Sequence, residues 1–440
     1  MAFKASKPGP YARHLKALLP DHTIRTTHAL RSQLGEVLAE SNTVADEGLL
    51  DRLVSAELTR PLEMAVQIAP GITTKALADA MRAAWCASPD LDAVWGEMVK
   101  TLPVDSLCEE MLSQAVVHQK LTVMTRVAPE LFRRACWCAP LAAWLASKTL
   151  SAQTHWVAVA ALMQDTGALH LEPEPDKIHC AASVPARLHP LAAAALLEQH
   201  DTLPGLVARA VAEHHEQADG SGYPKGRTSH KMSAAGSLLS VVNALWKLRF
   251  ERPVQRSLAA WLPALRIRCA GPFRRWYEPV TDLIRRAAPS EATGPGAPKP
   301  DWSQIPVLQR RHVLLNGAFG LSAPLAALLK QVQEPAALPG RERTQIALDQ
   351  CRSAVIASGV LSDAILRWMQ HAEAEKLVAA WPEIVEIGVV QDELFTQMLG
   401  VRNALEPLLA ATPVGKARDQ MRAALDALKT LLQRFDSPPQ

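Results

Sequence analysis

The sequence predicts an all-α protein, and three observations support this fold class. Alanine and leucine, which are among the strongest helix formers, dominate the composition. Runs of β-branched residues are few, and several stretches repeat apolar residues at helical spacing. Hydrophobic residues make up 48% of the 440 residues and charged residues 21%, a balance typical of a folded globular chain. A chain of this length accommodates two or three domains.

Residues 1–120 are predicted to form a small N-terminal domain of unknown function. The stretch LGEVLAESNTVADEGLLDRLVSAEL combines a short apolar run with an amphipathic helix, and Pro61, Pro70 and Gly71 follow it as helix breakers. The first residues are basic but lack the apolar region of a secretory signal peptide. Nothing in this segment indicates a particular class of sensor.

Residues 121–289 carry the clearest helical patterns, and we expect a helical domain there. One predicted helix ends at Gly167, where a glycine C-cap is favoured, and the next has Pro190 in its first turn. The predicted helical stretches are WVAVAALMQDTG (156–167), HPLAAAALLEQH (189–200), LPGLVARAVAEHHEQADG (203–220) and SAAGSLLSVVNALWKLRF (233–250).

The last part of the chain is predicted to be a linker followed by a second helical domain. Residues 290–306 are rich in proline and glycine, which indicates an irregular linker. In residues 307–440, two apolar stripes flank the break ATPVGK and predict an antiparallel helical hairpin or bundle. The stripes are Leu394, Met398, Val401, Leu405 and Leu408, and Met421, Leu425, Leu428, Leu432 and Phe435. Such stripes face a core more often than a dimer partner, and the oligomeric state stays open.

Charge and cysteine content narrow the possible functions. A formal net charge of +3 is too small to favour a nucleic-acid polymer as the partner. The best candidate for a membrane span, around residues 135–147, is short and stops at Lys148, so we expect no membrane span. The seven cysteines are scattered, and Cys136 and Cys138 have no second close pair to complete a zinc site. We therefore expect reduced thiols and a cytoplasmic protein.

Four side chains near predicted helix ends form a candidate metal site: Asp165, His189, His214 and His215. One carboxylate and three imidazoles suit one divalent transition metal such as Fe, Mn, Zn or Ni. Adjacent residues of a helix point about 100° apart, so His214 and His215 can share an ion only if their helix ends there. The sequence ADGSG that follows favours such a break.

The stretch HHEQADGSGYPKG (214–226) resembles the signature of the HD-GYP domain, a branch of the HD phosphohydrolase superfamily. RLHPLAAAALL (187–197) is similar to the family's second histidine helix, and LMQDTG (162–167) falls where the family has its His-Asp pair. The apolar stretch 237–248 falls where the family has a metal-binding aspartate. The resemblance covers roughly residues 130–289 and implies a helical bundle that holds two or three metal ions and hydrolyses cyclic di-GMP.

Four positions depart from the family's pattern and are interpreted as degenerate. The histidine of the His-Asp pair is Gln164, the lysine after the next glycine is Ala168, the late metal-binding aspartate is Asn243, and the first metal-binding histidine aligns best with Trp137. In the family, these two histidines and the late aspartate bind the first ion together with the aspartate of the pair. The resemblance therefore implies that the first metal site has lost three of four ligands. The second site keeps all four, including the bridging catalytic position, Asp165.

Loss of the first site predicts weak or absent hydrolysis, because two-metal hydrolysis requires ions about 3.5–4 Å apart. We expect a degenerate phosphodiesterase that acts by binding cyclic di-GMP, a protein partner, or both. An active phosphodiesterase with an altered metal set and a purely structural scaffold are the alternatives. By resemblance, Lys225 is a candidate phosphate contact, and Gly222 and Tyr223 are candidates for binding a ligand or a partner. A rigid turn is the simpler explanation of Tyr223.

Overall fold

Helices account for nearly all of the regular structure, so the predicted all-α fold class is confirmed. The computed structural model describes residues 7–172, 175–177, 186–218, 220, 222–251, 256–269, 273–287, 300–331 and 340–436. Within these ranges the strands are two to four residues long and form two antiparallel pairs.

The chain divides into two compact units whose segments alternate along the sequence. The first unit comprises Met1–His215, Met232–Lys247 and Asp282–Ala287, and the second comprises Glu216–Lys231, Leu248–Thr281 and Ala288–Gln440. The domain boundaries drawn from the sequence after residues 120, 289 and 306 remain predictions.

The N-terminal part of the first unit combines the short strands with two helices. Its elements are α1 (Gly9–Leu18), β1 (Thr23–Thr26), β2 (Leu30–Arg31), β3 (Val37–Ala39), α2 (Glu47–Ser55) and β4 (Val66–Ala69). β1 pairs with β4, where Thr23 lies opposite Ala69, and β2 pairs with β3. The Asp46 carboxylate accepts a hydrogen bond from the backbone N–H of Leu49 at 2.7 Å and so caps α2.

The next helices build the core of the first unit. They are α3 (Thr74–Trp85), α4 (Pro89–Val99), α5 (Val104–Leu112), α6 (Ala115–Val127), α7 (Pro129–Thr149), α8 (Thr154–Met163), α9 (His189–Leu197), α10 (Gly205–Glu213) and α11 (Ala234–Phe250). The apolar run of residues 135–147 lies within α7, and its side chains are nearly all buried. α8 is almost wholly apolar and packs against α7, which explains why its sequence shows no polar face.

The C-terminal part of the chain is helical, as predicted. Its helices are α12 (Leu262–Arg268), α13 (Arg274–Ala287), α14 (Gln304–Gly320), α15 (Ser322–Gln331), α16 (Arg341–Ser358), α17 (Asp363–Ala374), α18 (Trp381–Ala411) and α19 (Lys416–Asp436). All ten residues of the two predicted apolar stripes are buried in one core. Phe395 of α18 stacks on Phe435 near the end of α19 at 4.3 Å, so the two helices run antiparallel as the predicted hairpin. Residues 290–299 of the predicted linker lie outside the described residues.

One stretch of the second unit, Gln304–Lys330, is long and apolar enough to cross a membrane by length and composition, and 44% of its most apolar window is buried. A core helix of a soluble protein meets the same criteria, so this stretch is weak evidence for a span. The expectation of a cytoplasmic protein without a membrane span remains a prediction.

Candidate metal centre

Asp165, His189, His214 and His215 lie together in the first unit, and all four are buried. We call them the histidine cluster. Their candidate ligand atoms all lie within 4.8 Å of one another. Asp165 Oδ1 is 3.3 Å from His189 Nε2 and 3.5 Å from His214 Nε2, and the two Nε2 atoms are 3.3 Å apart. Ligands placed tetrahedrally 2.0–2.1 Å from an ion are about 3.3–3.4 Å apart, so this spacing fits a single ion.

Each member of the histidine cluster lies at the end of a helix. Asp165 follows α8 and precedes a short 3₁₀ turn, Thr166–His170. His189 is the first residue of α9. α10 ends at Glu213, so His214 and His215 follow it directly, and their ring centroids are 4.0 Å apart. Because the helix ends before them, the two adjacent histidines can face one point, as the sequence analysis required.

The 3₁₀ turn packs directly against the start of α9. A Cβ atom at Gly167 would lie 2.1 Å from the carbonyl oxygen of His189 and 2.6 Å from the backbone nitrogen of Ala193. Only glycine allows so close an approach of two backbones. Ala168 is buried in the same turn, and its N–H donates to the Asp165 carbonyl at 3.0 Å. This packing holds Asp165 beside His189.

His214 and His215 are held in the neutral form that metal binding requires. Burial lowers the pKa of His214 to about 4 and lowers the pKa of His215 well below its usual value. His214 Nδ1 is 2.6 Å from the Val211 carbonyl, which can only accept, so Nδ1 carries the proton and Nε2 offers a lone pair. That lone pair and the Asp165 carboxylate face each other, an arrangement that a cation between them would stabilise.

The second oxygen of Asp165 faces a different set of side chains, which we call the arginine network: Arg134, Gln164 and Asn243. Asn243 donates through Nδ2 to Gln164 Oε1 at 2.8 Å and accepts at Oδ1 from Arg134 Nη2 at 2.5 Å. Arg134 Nε lies 3.4 Å from Asp165 Oδ2. All three side chains of the network are buried. A buried guanidinium therefore contacts the carboxylate on the side away from the histidines.

The arginine network limits what can bind beside Asp165 Oδ2. Arginine stays protonated in proteins, so Arg134 places a fixed positive charge beside Asp165. The amide oxygens of Gln164 and Asn243, the neutral atoms left to coordinate an ion, already accept hydrogen bonds. A divalent ion at this position would have to displace these bonds and lie close to the guanidinium. A side-chain cation thus already lies beside Asp165 Oδ2.

Comparison with known families agrees with this geometry. Residues 110–261 match the family model described as HD domain. The match supports membership of the HD phosphohydrolase superfamily. HD domains typically bind divalent metal ions, and the histidine cluster and the arginine network both lie within the matched HD domain. No curated protein and no solved structure matched the chain.

The assignment of Trp137 as the first lost ligand remains a prediction, and the structure shows what this residue and its neighbour Arg134 contact. α7 of the HD domain reaches the arginine network at Arg134, three residues before Trp137, which the sequence alignment placed there. The ring of Trp137 instead stacks on Trp85 at 4.5 Å and meets Trp246 edge to face at 5.5 Å. Three residues are nearly one helical turn, so Arg134 and Trp137 are neighbours on the surface of α7.

A further carboxylate, which sequence reasoning missed, fixes the end of α10. Glu213 Oε2 accepts from the backbone N–H and from the hydroxyl of Ser233, both at 2.7 Å. Ser233 Oγ in turn accepts from the N–H of Gly236 in the first turn of α11. These bonds join the end of α10, which precedes His214, to the start of α11, which carries Asn243.

Residues 216–231, which include most of the GYP-like stretch, belong to the second unit. Glu216 is buried and accepts from the backbone N–H groups of Lys225 and Arg227, both at 2.7 Å. These two bonds draw the loop around one carboxylate. The Lys225 side chain is exposed, so it is accessible to a ligand.

The predicted ligand-binding residues Gly222 and Tyr223 lie in the same loop. The Gly222 carbonyl accepts from Arg343 Nη2 of α16 at 3.3 Å, and Tyr223 is half-buried. This contact ties the loop to a helix of the C-terminal segment, within the second unit. Asp219 and Ser221, which are part of the motif, lie outside the described residues.

The contact at Gly167 predicts a specific sensitivity to a single methyl group. Gly167→Ala should lower the free energy of unfolding by about 1–3 kcal/mol, because α9 must move away from the 3₁₀ turn. Chemical denaturation followed by circular dichroism measures this change. The matched control is Gly205→Ala, since a Cβ there meets no atom within 4 Å. Equal stability of the two variants would contradict the close packing.

Proposed function

We propose that this chain is a degenerate HD-GYP-type signalling protein that holds one metal ion and binds cyclic di-GMP, a protein partner, or both. The observation that carries the proposal is the buried contact of Arg134 with Asp165 and Asn243. In this proposal the guanidinium takes the place of one metal ion. The histidine cluster supplies the donors for the other ion.

The donor set of the histidine cluster suits Fe, Mn, Zn or Ni. An ion bound there would neutralise the Asp165 carboxylate and act as a Lewis acid toward a phosphate oxygen. Asp165 would bind it through Oδ1, and His189 and His214 through Nε2, the atoms that face one another. Support for this assignment comes from the burial of all four residues and the neutral state of His214 and His215.

Hydrolysis should be strongly impaired. A two-metal phosphodiesterase steadies the attacking and the leaving oxygen with two ions about 3.5–4 Å apart. Arg134 can compensate the charge of Asp165, but its Nη2 already donates to Asn243, and a guanidinium cannot supply a bound hydroxide. Losing one source of transition-state charge stabilisation typically lowers a rate by about 10²–10³-fold.

Ligand binding is supported by different residues. The stretch 214–226 keeps the Gly-Tyr-Pro element of the family it resembles, and the exposed Lys225 offers a positive charge for a phosphate. The loop is folded around Glu216, so Lys225 stands on an ordered backbone. These features do not depend on the altered metal site, which is why binding can persist when hydrolysis is lost.

The proposal is tested by titrating the protein with cyclic di-GMP by calorimetry and by assaying hydrolysis anaerobically with Fe²⁺ or Mn²⁺. We expect binding with turnover at least about 10²-fold below that of an active HD-GYP enzyme. Lys225→Ala should weaken binding, whereas Lys429→Ala, which removes a lysine from α19, should not. Turnover equal to that of active enzymes would instead support a phosphodiesterase with an altered metal set. If the protein shows neither binding nor turnover, the result would support a structural scaffold.

Restoring the altered site should restore the second ion. The triple variant Arg134→His, Gln164→His and Asn243→Asp replaces the arginine network with metal ligands, so metal content should rise from one to two ions per chain and hydrolysis should increase. Mass spectrometry of the purified, metal-loaded protein measures the stoichiometry. The matched control keeps Arg134 and combines Trp137→His with the other two substitutions. Equal metal content in both triple variants would contradict the assignment of Arg134.

A further inference from the structure

A second buried network of charged side chains lies in the first unit, outside the histidine cluster. It consists of Glu63, Lys120 and His170, and we call it the lysine network. Lys120 Nζ is 2.8 Å from Glu63 Oε2 and 2.5 Å from His170 Nε2, and His170 Nε2 is 2.9 Å from Glu63 Oε2. The Lys120 side chain is only 2% exposed. Lysine and glutamate are almost never buried to this extent unless they are paired.

The charges of the lysine network are balanced. Burial raises the pKa of Glu63, but the charge of Lys120 and the contact with His170 outweigh it, so the pKa lies below its usual range. Burial and the charge of Lys120 both lower the pKa of His170. Lys120 and Glu63 form a buried charge pair, and His170 Nε2 lies within hydrogen-bond distance of both. Removing one charged member would leave the other charge buried without compensation.

An aromatic ring from the N-terminal helix covers this network. The ring of Tyr11, in α1, stacks on His170 with a centroid distance of 4.7 Å. Lys120 Nζ lies 4.1 Å from the same ring, a cation–π contact. Tyr11 and Glu63 both precede residue 110, where the match to the HD domain begins. The N-terminal segment therefore supplies two of the groups around His170.

His170 connects the lysine network to the candidate metal centre. It is the last residue of the 3₁₀ turn Thr166–His170, and Asp165 immediately precedes that turn. The start of the turn is fixed by the packing of Gly167 on His189, and its end is fixed by Lys120 and Glu63. The turn that positions Asp165 is thus held at both ends.

We propose that Lys120 and Glu63 are positioning residues for the histidine cluster, and that the N-terminal segment forms part of the scaffold of the metal centre. The inference rests on the proposed metal site. Groups that orient metal ligands from outside the coordination sphere commonly change metal affinity by about 10–100-fold. Lys120 and Glu63 act through His170 and the backbone of the turn. Their hydrogen bonds and ion pairs join them to each other and to His170, not to the four candidate ligands.

Two variants separate positioning from general stability. Lys120→Met leaves Glu63 buried without its cation, so it should lower both stability and metal affinity. The double variant Glu63→Leu with Lys120→Met removes both charges and should recover much of the stability. The double variant still lacks the anchor of His170, so we expect it to bind Mn²⁺ about 10–100-fold more weakly than the wild type does. Titration followed by electron paramagnetic resonance measures this affinity.

A buried ion pair in the second unit provides the matched control. Arg268 Nε is 2.7 Å from Glu393 Oε2, and Glu393 is only 1% exposed. The double variant Arg268→Met with Glu393→Leu removes a comparable pair and should leave Mn²⁺ affinity unchanged. If both double variants bind Mn²⁺ as the wild type does, the positioning role is wrong.

Hydrogen exchange gives a second readout that does not depend on the metal. The turn contains the bonds from Ala168 N–H to the Asp165 carbonyl and from Leu171 N–H to the Ala168 carbonyl. Amides of residues 166–171 should exchange at least about tenfold faster in the Glu63→Leu, Lys120→Met protein than in the wild type or in the Arg268, Glu393 control. Unchanged exchange would overturn the inference. If the wild type does not bind Mn²⁺, the proposed metal site is wrong. Hydrogen exchange would still decide whether Lys120 and Glu63 hold the turn in place.

Discussion

The centre of the HD domain depends on how one buried carboxylate is compensated. Asp165 directs Oδ1 toward His189 and His214 and lies with Oδ2 3.4 Å from the guanidinium of Arg134. A buried carboxylate without opposite charge is strongly destabilising. An all-metal site would meet this requirement with two ions. Here the Arg134 side chain provides opposite charge on one side of the carboxylate, and the histidine cluster on the other side has the donor atoms that could hold a metal ion.

The sequence predicted the histidine cluster because each member stands next to a visible helix end, and because the glycine-rich stretch after His215 marks the break that two adjacent histidines require. It did not predict Arg134. Arginine is usually exposed, and α7 offers no motif that fixes its register. The available signal was weak: Arg134 shares a helix face with Leu131 and Cys138, both buried. Its partners, Gln164 and Asn243, are distant in sequence, so only the fold brings them together.

The all-α class and the C-terminal hairpin were predictable for a different reason. Both follow from composition and from apolar periodicity sustained over several helical turns. Packing of the apolar faces into a core favours the same helices. The small strand pairs were missed because strands of two to four residues carry too short an alternation to be recognised. The lysine network was missed because Glu63, Lys120 and His170 lie on separate elements, and each has a pattern that is ordinary for an exposed residue. Buried polar contacts between distant segments are the part of this structure that local sequence does not encode.

Anomalous diffraction from crystals grown with Mn²⁺, recorded at a wavelength where manganese scatters strongly, tests the central claim most directly. One peak should appear among Asp165 Oδ1 and the imidazoles of His189, His214 and His215, with Arg134 in place against Asp165 Oδ2 and Asn243. Two peaks 3.5–4 Å apart, as in two-metal enzymes, with Arg134 displaced from Asp165, would contradict it.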